Sequence, residues 1–377
     1  MDFESLCVHG SGKKYDHTGA ISVPIFQSAT FAHPGVGEST GYDYSRTQNP
    51  TREYLEHTLA ALEGGTDALA FSTGMAAVTT LMELFAPGDH LIVSDDLYGG
   101  THRLFFQLSV KKGIKFTLAG DPSLMEAAIT PATKAIFLET PTNPMMQVTD
   151  IAKVARLAAA RGLRLIVDNT FLTPYFQRPL SLGADVVLHS GTKYLGGHND
   201  TLAGFLVVKE PELAARLRFL ANTMGTCLAP FDSWLILRGL KTLAARLTWQ
   251  QKTAATIAAW LLTRPEVAAV RYPGLKSHPD YAISCRQTSG FGAMISFEIR
   301  DEALARQVLG RVKLIQFAES LGGVESLITY PTLQTHADIP AAEREAKGIN
   351  GRLLRLSVGL EAAADLIADL TQALARR

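Results

Sequence analysis

The chain reads as an α/β protein: a mostly parallel seven-stranded sheet in a large unit, then a smaller C-terminal α+β unit. Three observations predict this. Short apolar runs alternate with longer helical patterns from Thr51 onward, the order that makes βαβ units. Seven such runs follow one another before residue 210, enough for one large sheet covered on both faces. Past Pro230 the alternation stops, and a long helical stretch is followed by scattered strand-like runs.

The first 50 residues are rich in Gly, His, Tyr and Ser and show little periodicity, which predicts an extended arm with short helical pieces. Residues 51–63 carry Leu55, Leu59 and Leu62 at helical spacing. Strands are expected at 68–71, 90–94, 115–118, 134–138, 164–167, 185–188 and 204–208. Helices are expected at 75–86, 100–111, 122–129 and 150–161. A helical region at 231–263 carries Trp234, Leu235, Leu237, Leu240 and Leu243 on one side. Strands at 268–272, 293–298 and 353–358, with helices at 301–310, 340–347 and 361–376, complete the smaller unit. The expected division is an arm at 1–50, a large cofactor-binding unit at 51–230 and a C-terminal unit at 231–377.

Composition narrows the function classes. At roughly 150 residues per domain, 377 residues suggest about two domains. Lys+Arg 36 balances Asp+Glu 36, against a nucleic-acid binder that works by neutralising phosphates. No apolar run reaches the roughly 18 residues of a membrane span. The start, MDFESLCVHG, is acidic and has no apolar h-region, so no signal peptide is expected. Cys7, Cys227 and Cys285 are odd in number and far apart, which fits a reducing cytoplasm without a disulfide frame. No G-x-G-x-x-G opens a helix after a strand, and no Walker A or G-x-S-x-G pattern is present. Ser190-Gly191-Thr192-Lys193 matches S-x-x-K, but the S-D-N and K-T-G companions of serine acyltransferases are absent. The ten histidines show no H-E-x-x-H spacing, so no protein-held metal is expected.

The chemistry-bearing residues fall where strands end, the edge at which parallel sheets bind ligands. Asp168 follows Leu165-Ile166-Val167; His189-Ser190-Gly191-Thr192-Lys193 follows Val186-Val187-Leu188. Pyridoxal phosphate needs an amine for a Schiff base, an anion beside its ring nitrogen and donors around its phosphate. Lys193 supplies the amine, Asp168 the anion, and Ser190 and Thr192 the donors. Ser72-Thr73-Gly74-Met75 follows another strand and opens a helix, whose free N–H groups favour a phosphate. Tyr98 stands after the run 90–94, placed to stack on a ring. Each residue alone has an ordinary explanation: a solvated lysine, a capping aspartate, a turn glycine, a core tyrosine. Their joint placement at one sheet edge argues for the cofactor.

The stretch Ser190-Gly-Thr-Lys193-Tyr-Leu-Gly-Gly-His198-Asn-Asp200, with Val167-Asp168-Asn169-Thr170 before it, resembles the lysine signature of the Cys/Met-metabolism PLP enzymes. So do Tyr44-Ser-Arg46-Thr-Gln-Asn49-Pro50-Thr51, Glu139-Thr-Pro141-Thr-Asn143-Pro144, Ala318-Glu319-Ser320-Leu-Gly-Gly-Val-Glu-Ser326 and Arg355-Leu-Ser-Val-Gly359. The resemblance runs nearly end to end. It implies the fold-type-I, aminotransferase-like architecture and a homotetramer built from two catalytic dimers. It implies that Lys193 carries the cofactor and shuttles protons, that Asp168 pairs with the pyridine nitrogen and that Tyr98 stacks on the ring. Gly74, Met75, Ser190 and Thr192 are implied to bind the phosphate, and Tyr44 and Arg46 to reach the phosphate of a neighbouring subunit. Arg355 is implied to clamp the substrate α-carboxylate, with Asn143, Ser320 and Glu319 beside it.

Within the family the choice rests on less. Gly100 stands where methionine γ-lyases typically have cysteine. Gly37-Glu-Ser-Thr-Gly-Tyr-Asp-Tyr44, Leu97-Tyr-Gly-Gly-Thr and Glu325-Ser-Leu-Ile-Thr-Tyr-Pro331 look most like bacterial cystathionine γ-synthases that also act as O-acetylhomoserine thiol-lyases. His102 departs from the tyrosine usual there. The resemblance thus implies γ-replacement on an O-acylhomoserine by cysteine or sulfide, with cystathionine γ- or β-lyase as the alternative. A non-catalytic protein on a degenerate scaffold is the reading from another class.

Overall fold

The computed structural model describes residues 1–11 and 18–375. The first sheet holds β1 (Asp67–Phe71), β2 (His90–Val93), β3 (Lys115–Leu118), β4 (Thr133–Glu139), β5 (Arg164–Asp168), β6 (Val186–Ser190) and β7 (Gly204–Val208). Their spatial order is β1-β7-β6-β5-β4-β2-β3. The β2–β3, β2–β4, β4–β5 and β5–β6 pairs are parallel, while β7 runs antiparallel to both β6 and β1. Reversing β7 brings β1 back into the common direction, so the carboxyl ends of β1, β2, β4, β5 and β6 share one edge. The sheet is the expected mostly parallel, seven-stranded α/β sheet.

Both faces of the sheet are packed. Val187, Val207 and Ala70 face a core that contains Leu55, Leu59 and Leu62 of the helix Pro50–Glu63. Val186, Leu188, Leu206 and Phe71 face the opposite core, with Val78 and Leu81 from the helix Gly74–Met82. The period-2 alternation of a strand thus serves two hydrophobic layers at once. The helix Pro50–Glu63 starts sharply because Asn49 caps the N–H groups of Thr51 and Arg52 and Pro50 takes the first position. Gly64 ends it at φ 72°.

The smaller sheet is ordered β10-β11-β12-β9-β8, from β8 (Val267–Arg271), β9 (Met294–Ile299), β10 (Gln316–Phe317), β11 (Leu327–Thr329) and β12 (Leu353–Ser357). It shares a continuous core with the first sheet, through Phe297, Leu354 and Leu356 on one side and Leu195 and Ile236 on the other.

Several expected elements change at their ends. The helix expected at 75–86 stops at Met82. Glu83, Leu84 and Phe85 instead make three-residue turns back to Thr80, Leu81 and Met82, because Pro87 disfavours helical backbone just before it. The helix expected at 100–111 is three short pieces: Gly99–Arg103, a π turn at Leu104–Leu108 and a 3-10 turn at Ser109–Lys112. The region 231–263 is two helices, Pro230–Leu240 and Leu243–Leu261. The C-terminal helix spans Ala363–Leu374 and ends at Ala375, whose backbone is extended; of the expected extension to 376 the last residue lies outside the described residues, as do 12–17 of the arm. A helix at Pro211–Met224 was not expected, although Pro211 opens it, Leu213, Leu217 and Leu220 face inward and Gly225 closes it. The strands β10 and β11 are too short to show an alternation. Among the described residues no helix is long and apolar enough to cross a membrane.

Candidate active site

A cavity of about 310 Å³ opens between the carboxyl edge of the first sheet and β12 of the second. Lys193, Tyr98, Asp168, Ser190, Thr192, Gly74, Met75, Arg355, Asn143, Ser320 and Glu319 all line it. Tyr44 and Arg46 do not. They sit together on the arm, with the guanidinium over the ring at 5.5 Å and Tyr44 48% exposed.

Asp168 is the last residue of β5 and Ser190 the last of β6. Thr170 ties these two ends together. Its N–H and hydroxyl donate to Asp168 Oδ1 at 3.0 and 2.6 Å, and its oxygen accepts the Ser190 N–H at 2.9 Å. Both bonds to Asp168 fall on Oδ1, so Oδ2 is the oxygen free for a ligand. Burial raises the Asp168 carboxyl above its ordinary range, against the two Thr170 bonds that favour its charge. On the neighbouring strand Glu139 is its register partner, and burial together with the Asp168 charge raises Glu139 well above the usual carboxylate range.

Lys193 lies in the turn after β6. Its amine donates to Ser320 Oγ at 2.8 Å. Burial, assisted by the Arg355 charge, pulls the amine down to about 8, so a nucleophilic fraction exists near neutrality. The turn is held from behind. Arg246 donates to the Tyr194 carbonyl at 2.8 Å and to the Gly239 carbonyl at 2.9 Å. Ser320 has φ 85°, a conformation that L residues rarely adopt and that gathers at functional sites.

Arg355 comes from the middle of β12 and is 1% exposed. Its Nη1 donates to Asn143 Oδ1 at 2.7 Å; its Nη2 donates to the Ser320 carbonyl and to Thr329 Oγ1, both at 3.0 Å. All these partners are neutral, and Nε is buried with none. Burial lowers the guanidinium to about 10, which leaves it charged at neutral pH. A buried, charged and incompletely bonded guanidinium is a receptor for an anion.

Tyr98 precedes the helix Gly99–Arg103, and its N–H donates to Glu139 Oε2 at 2.8 Å. A Cβ on residue 100 would run into the Tyr98 ring. Glycine at 100 therefore lets the ring lie flat against the helix start, and a cysteine there would displace it. At the other wall, Gly74 opens the helix Gly74–Met82. The Thr73 hydroxyl takes the Ala76 N–H, which leaves the N–H groups of Gly74 and Met75 at an open helix terminus. A Cβ on Gly204 would overlap the Thr73 carbonyl, so that glycine lets β7 pass directly beneath this turn.

The donor set suits a phosphorylated pyridine: a helix N-terminus with Ser190 beside it, a carboxylate with one free oxygen, an aromatic ring and a depressed amine. The model of the Cys/Met metabolism PLP-dependent enzymes matches residues 4–375. The chain belongs to this family. A cystathionine gamma-synthase of Haemophilus influenzae is 50% identical over 375 residues, 99% of this chain and 97% of that protein. A cystathionine gamma-lyase of Bacillus subtilis is 48% identical over 376 residues, 99% of each chain. The crystal structure of a cystathionine gamma-lyase from Lactobacillus plantarum with L-serine superposes with a TM-score of 0.97, at 48% identity, over 99% of this chain and 98% of that one.

As a Cys/Met-metabolism enzyme the protein depends on pyridoxal phosphate, and its relatives include both synthases and lyases. Sequence reading alone assigns no role to Thr170, Arg246, Glu139 or His336. Thr170 and Glu139 stand inside the family-like motifs, which gives a signal. Arg246 and His336 give none, because each acts through backbone carbonyls far away in the chain.

Proposed function

We propose that the protein catalyses γ-replacement on an O-acylhomoserine, with cysteine or sulfide as the sulfur nucleophile and cystathionine or homocysteine as product. Pyridoxal phosphate, when bound, would supply a carbonyl carbon open to an amine and a ring able to accept the electrons released at Cα. Asp168 holds a positive charge at the ring nitrogen through its free oxygen. Tyr98 stacks on the ring. Gly74, Met75, Ser190 and Thr192 bind the phosphate; the Thr192 hydroxyl already braces the Ala203 backbone, accepting its N–H at 3.1 Å. Tyr44 and Arg46 reach the phosphate of a neighbouring subunit in a homotetramer, which accounts for an aromatic and a cation exposed together on the arm.

Arg355 and Asn143 orient the substrate carboxylate, with Glu319 and Ser320 at its side. Lys193 Nζ would take the proton from Cα, give it up to the bound cofactor, and only then be a neutral base able to take one from Cβ; it would return protons as the product forms. The Cγ–O bond breaks, the acyl group departs with that oxygen as a carboxylate, and the deprotonated thiol or sulfide sulfur forms the new bond to Cγ. One base must serve two adjacent carbons, and a long side chain anchored by a single hydroxyl among the described residues, that of Ser320, can swing between them.

The observation that carries this reading is the buried Arg355 guanidinium with neutral partners, in the same cavity as an amine lowered to about 8. It supports an α-amino acid substrate handled by Lys193. The γ-synthase direction is supported by the segments around Tyr44, Tyr98 and Glu325 and by the Haemophilus influenzae relative. The gamma-lyase relative and structure favour C–S cleavage as the second reading. The deciding experiment compares kcat/KM for O-acetyl- or O-succinylhomoserine plus cysteine or sulfide with kcat/KM for cystathionine alone. A larger value for replacement supports the synthase; an equal or larger value for cystathionine cleavage overturns it.

A further inference from the structure

We propose that His336 is a positioning residue for the carboxylate clamp: its neutral imidazole donates Nε2–H to the Asn143 carbonyl and so holds the Asn143 side chain against Arg355. This deepens the reading above and rests on the roles given there to Asn143 and Arg355.

His336 lies between β11 and the helix Ala341–Ala346 and is buried. Its Nε2 stands 2.9 Å from the Asn143 carbonyl oxygen, and its Nδ1 stands 2.8 Å from Thr335 Oγ1. A carbonyl oxygen only accepts, so Nε2 must carry the hydrogen. In the neutral ring Nδ1 is then the acceptor, and the Thr335 hydroxyl donates to it. Burial and the Arg355 charge lower His336 to about 4, in agreement with that neutral ring. The backbone that carries the ring is fixed as well. The His336 N–H donates to the Pro331 carbonyl at 3.0 Å, and Arg344 Nη1 donates to the carbonyls of Thr332 at 3.0 Å and His336 at 3.1 Å.

The chain at Asn143 and Pro144 is anchored at two successive carbonyls. Ser296 Oγ donates to the Pro144 carbonyl at 2.6 Å, and Ser296 is the register partner of Arg355 on β9. His336, 193 residues away in the chain, takes the Asn143 carbonyl. Between these anchors Asn143 Oδ1 accepts from Arg355 Nη1 at 2.7 Å. Filling space does not require an imidazole here. A buried ring with two polar nitrogens is unfavourable unless both are bonded, and both are. An apolar side chain of similar size would leave the buried Asn143 carbonyl without this donor.

The holoenzyme and its His336→Leu, His336→Asn and His336→Gln variants test this. The readouts are the affinity for L-alanine, an amino acid without a γ leaving group, the visible absorption band of bound pyridoxal phosphate and the thermal midpoint. A glutamine amide reaches the place of Nε2 and can donate to the Asn143 carbonyl. An asparagine amide reaches only the place of Nδ1, and leucine has no donor. His336→Leu and His336→Asn should weaken L-alanine binding by about fivefold or more, while His336→Gln stays within about twofold of the wild type. The band should keep its wild-type wavelength in all three, because neither partner of the ring is assigned to the cofactor. A side chain that only packs would lower the thermal midpoint and leave the affinity unchanged. That result in His336→Leu, or in His336→Asn if the leucine variant fails to fold, overturns the proposal. So does a His336→Gln variant that loses as much affinity as His336→Leu, or a band that moves together with the affinity. Arg355→Ala is run alongside. If the wild type shows no visible band, or Arg355→Ala binds L-alanine as the wild type does, the reading of the site has failed. If those behave as expected and the His336 variants do not, only the anchor is wrong.

Discussion

The Lys193 amine and the Ser320 hydroxyl meet at 2.8 Å although 127 residues separate them. Lys193 follows a strand of the large sheet, and Ser320 follows β10 of the small one. The reactive amine is therefore anchored from the far side of the cavity, and the anchor is held at φ 85°. The Ser320 carbonyl meanwhile accepts from Arg355. One strained residue thus sets both the amine and the guanidinium, so the two sheets must be in place before the site is complete.

Lys193→Ala should remove both the visible absorption of the holoenzyme and turnover. Among the described residues no other lysine lines the cavity to replace it. Spectra and a γ-replacement assay on the purified variant check this, and normal turnover would end the mechanism.

Arg355→Ala should act chiefly on amino-acid binding. Removing one buried, charge-assisted partner costs about 2–5 kcal/mol, or roughly 30- to 5000-fold in affinity. Titration with O-acetylhomoserine, or with a non-reacting amino acid, reads it directly. The cofactor should remain bound.

Asp168→Ala should keep cofactor, held by the helix terminus and Lys193, yet lose catalysis. The ring nitrogen would have no anion beside it and would accept electrons poorly. Parallel measurements of cofactor affinity and kcat should show the larger loss in kcat.

Capture of pyridoxal phosphate by cofactor-stripped protein should accelerate with pH and level off above about 8. The neutral amine is the nucleophile, and burial lowers Lys193 to about 8. At pH 7 about one-tenth of the amine is then neutral, against about one part in 3000 for an ordinary lysine. Stopped-flow absorbance across pH 6–10 checks this; a rate still rising tenfold per unit at pH 10 would show an unperturbed lysine.

Gly204→Ala should weaken cofactor retention without touching any side chain of the site. The new methyl overlaps the Thr73 carbonyl beneath the turn that opens at Gly74. Overpacking of this kind costs about 1–3 kcal/mol, and dialysis against phosphate should strip the variant faster than the wild type.

Much of the site was legible before folding. Asp168 follows its apolar run immediately, and Ser190 and Lys193 stand within five residues of the next, so the runs themselves mark these residues as lying at a sheet edge. Gly74 and Tyr98 likewise follow β1 and β2. The helix Pro211–Met224 also carries local signals, an opening proline, leucine spacing and a closing glycine. The break at Met82 is traceable to Pro87, whereas the one at Leu240 falls inside a helical pattern and coincides with the turn in which the Thr242 N–H donates to the Gly239 carbonyl.

What the sequence determined on its own is the order of strands and helices and the identity of the residues at strand ends, because periodicity and turn chemistry act within a dozen residues. The tertiary structure decided which of those residues share a cavity and in what electrical state. Arg355 reads as any arginine on a strand until folding buries it against Asn143, 212 residues away, and Lys193 is an ordinary amine until the same cavity removes its water. Desolvation and long-range contact leave no local trace in the order of residues, because both arise only when distant segments close over one another.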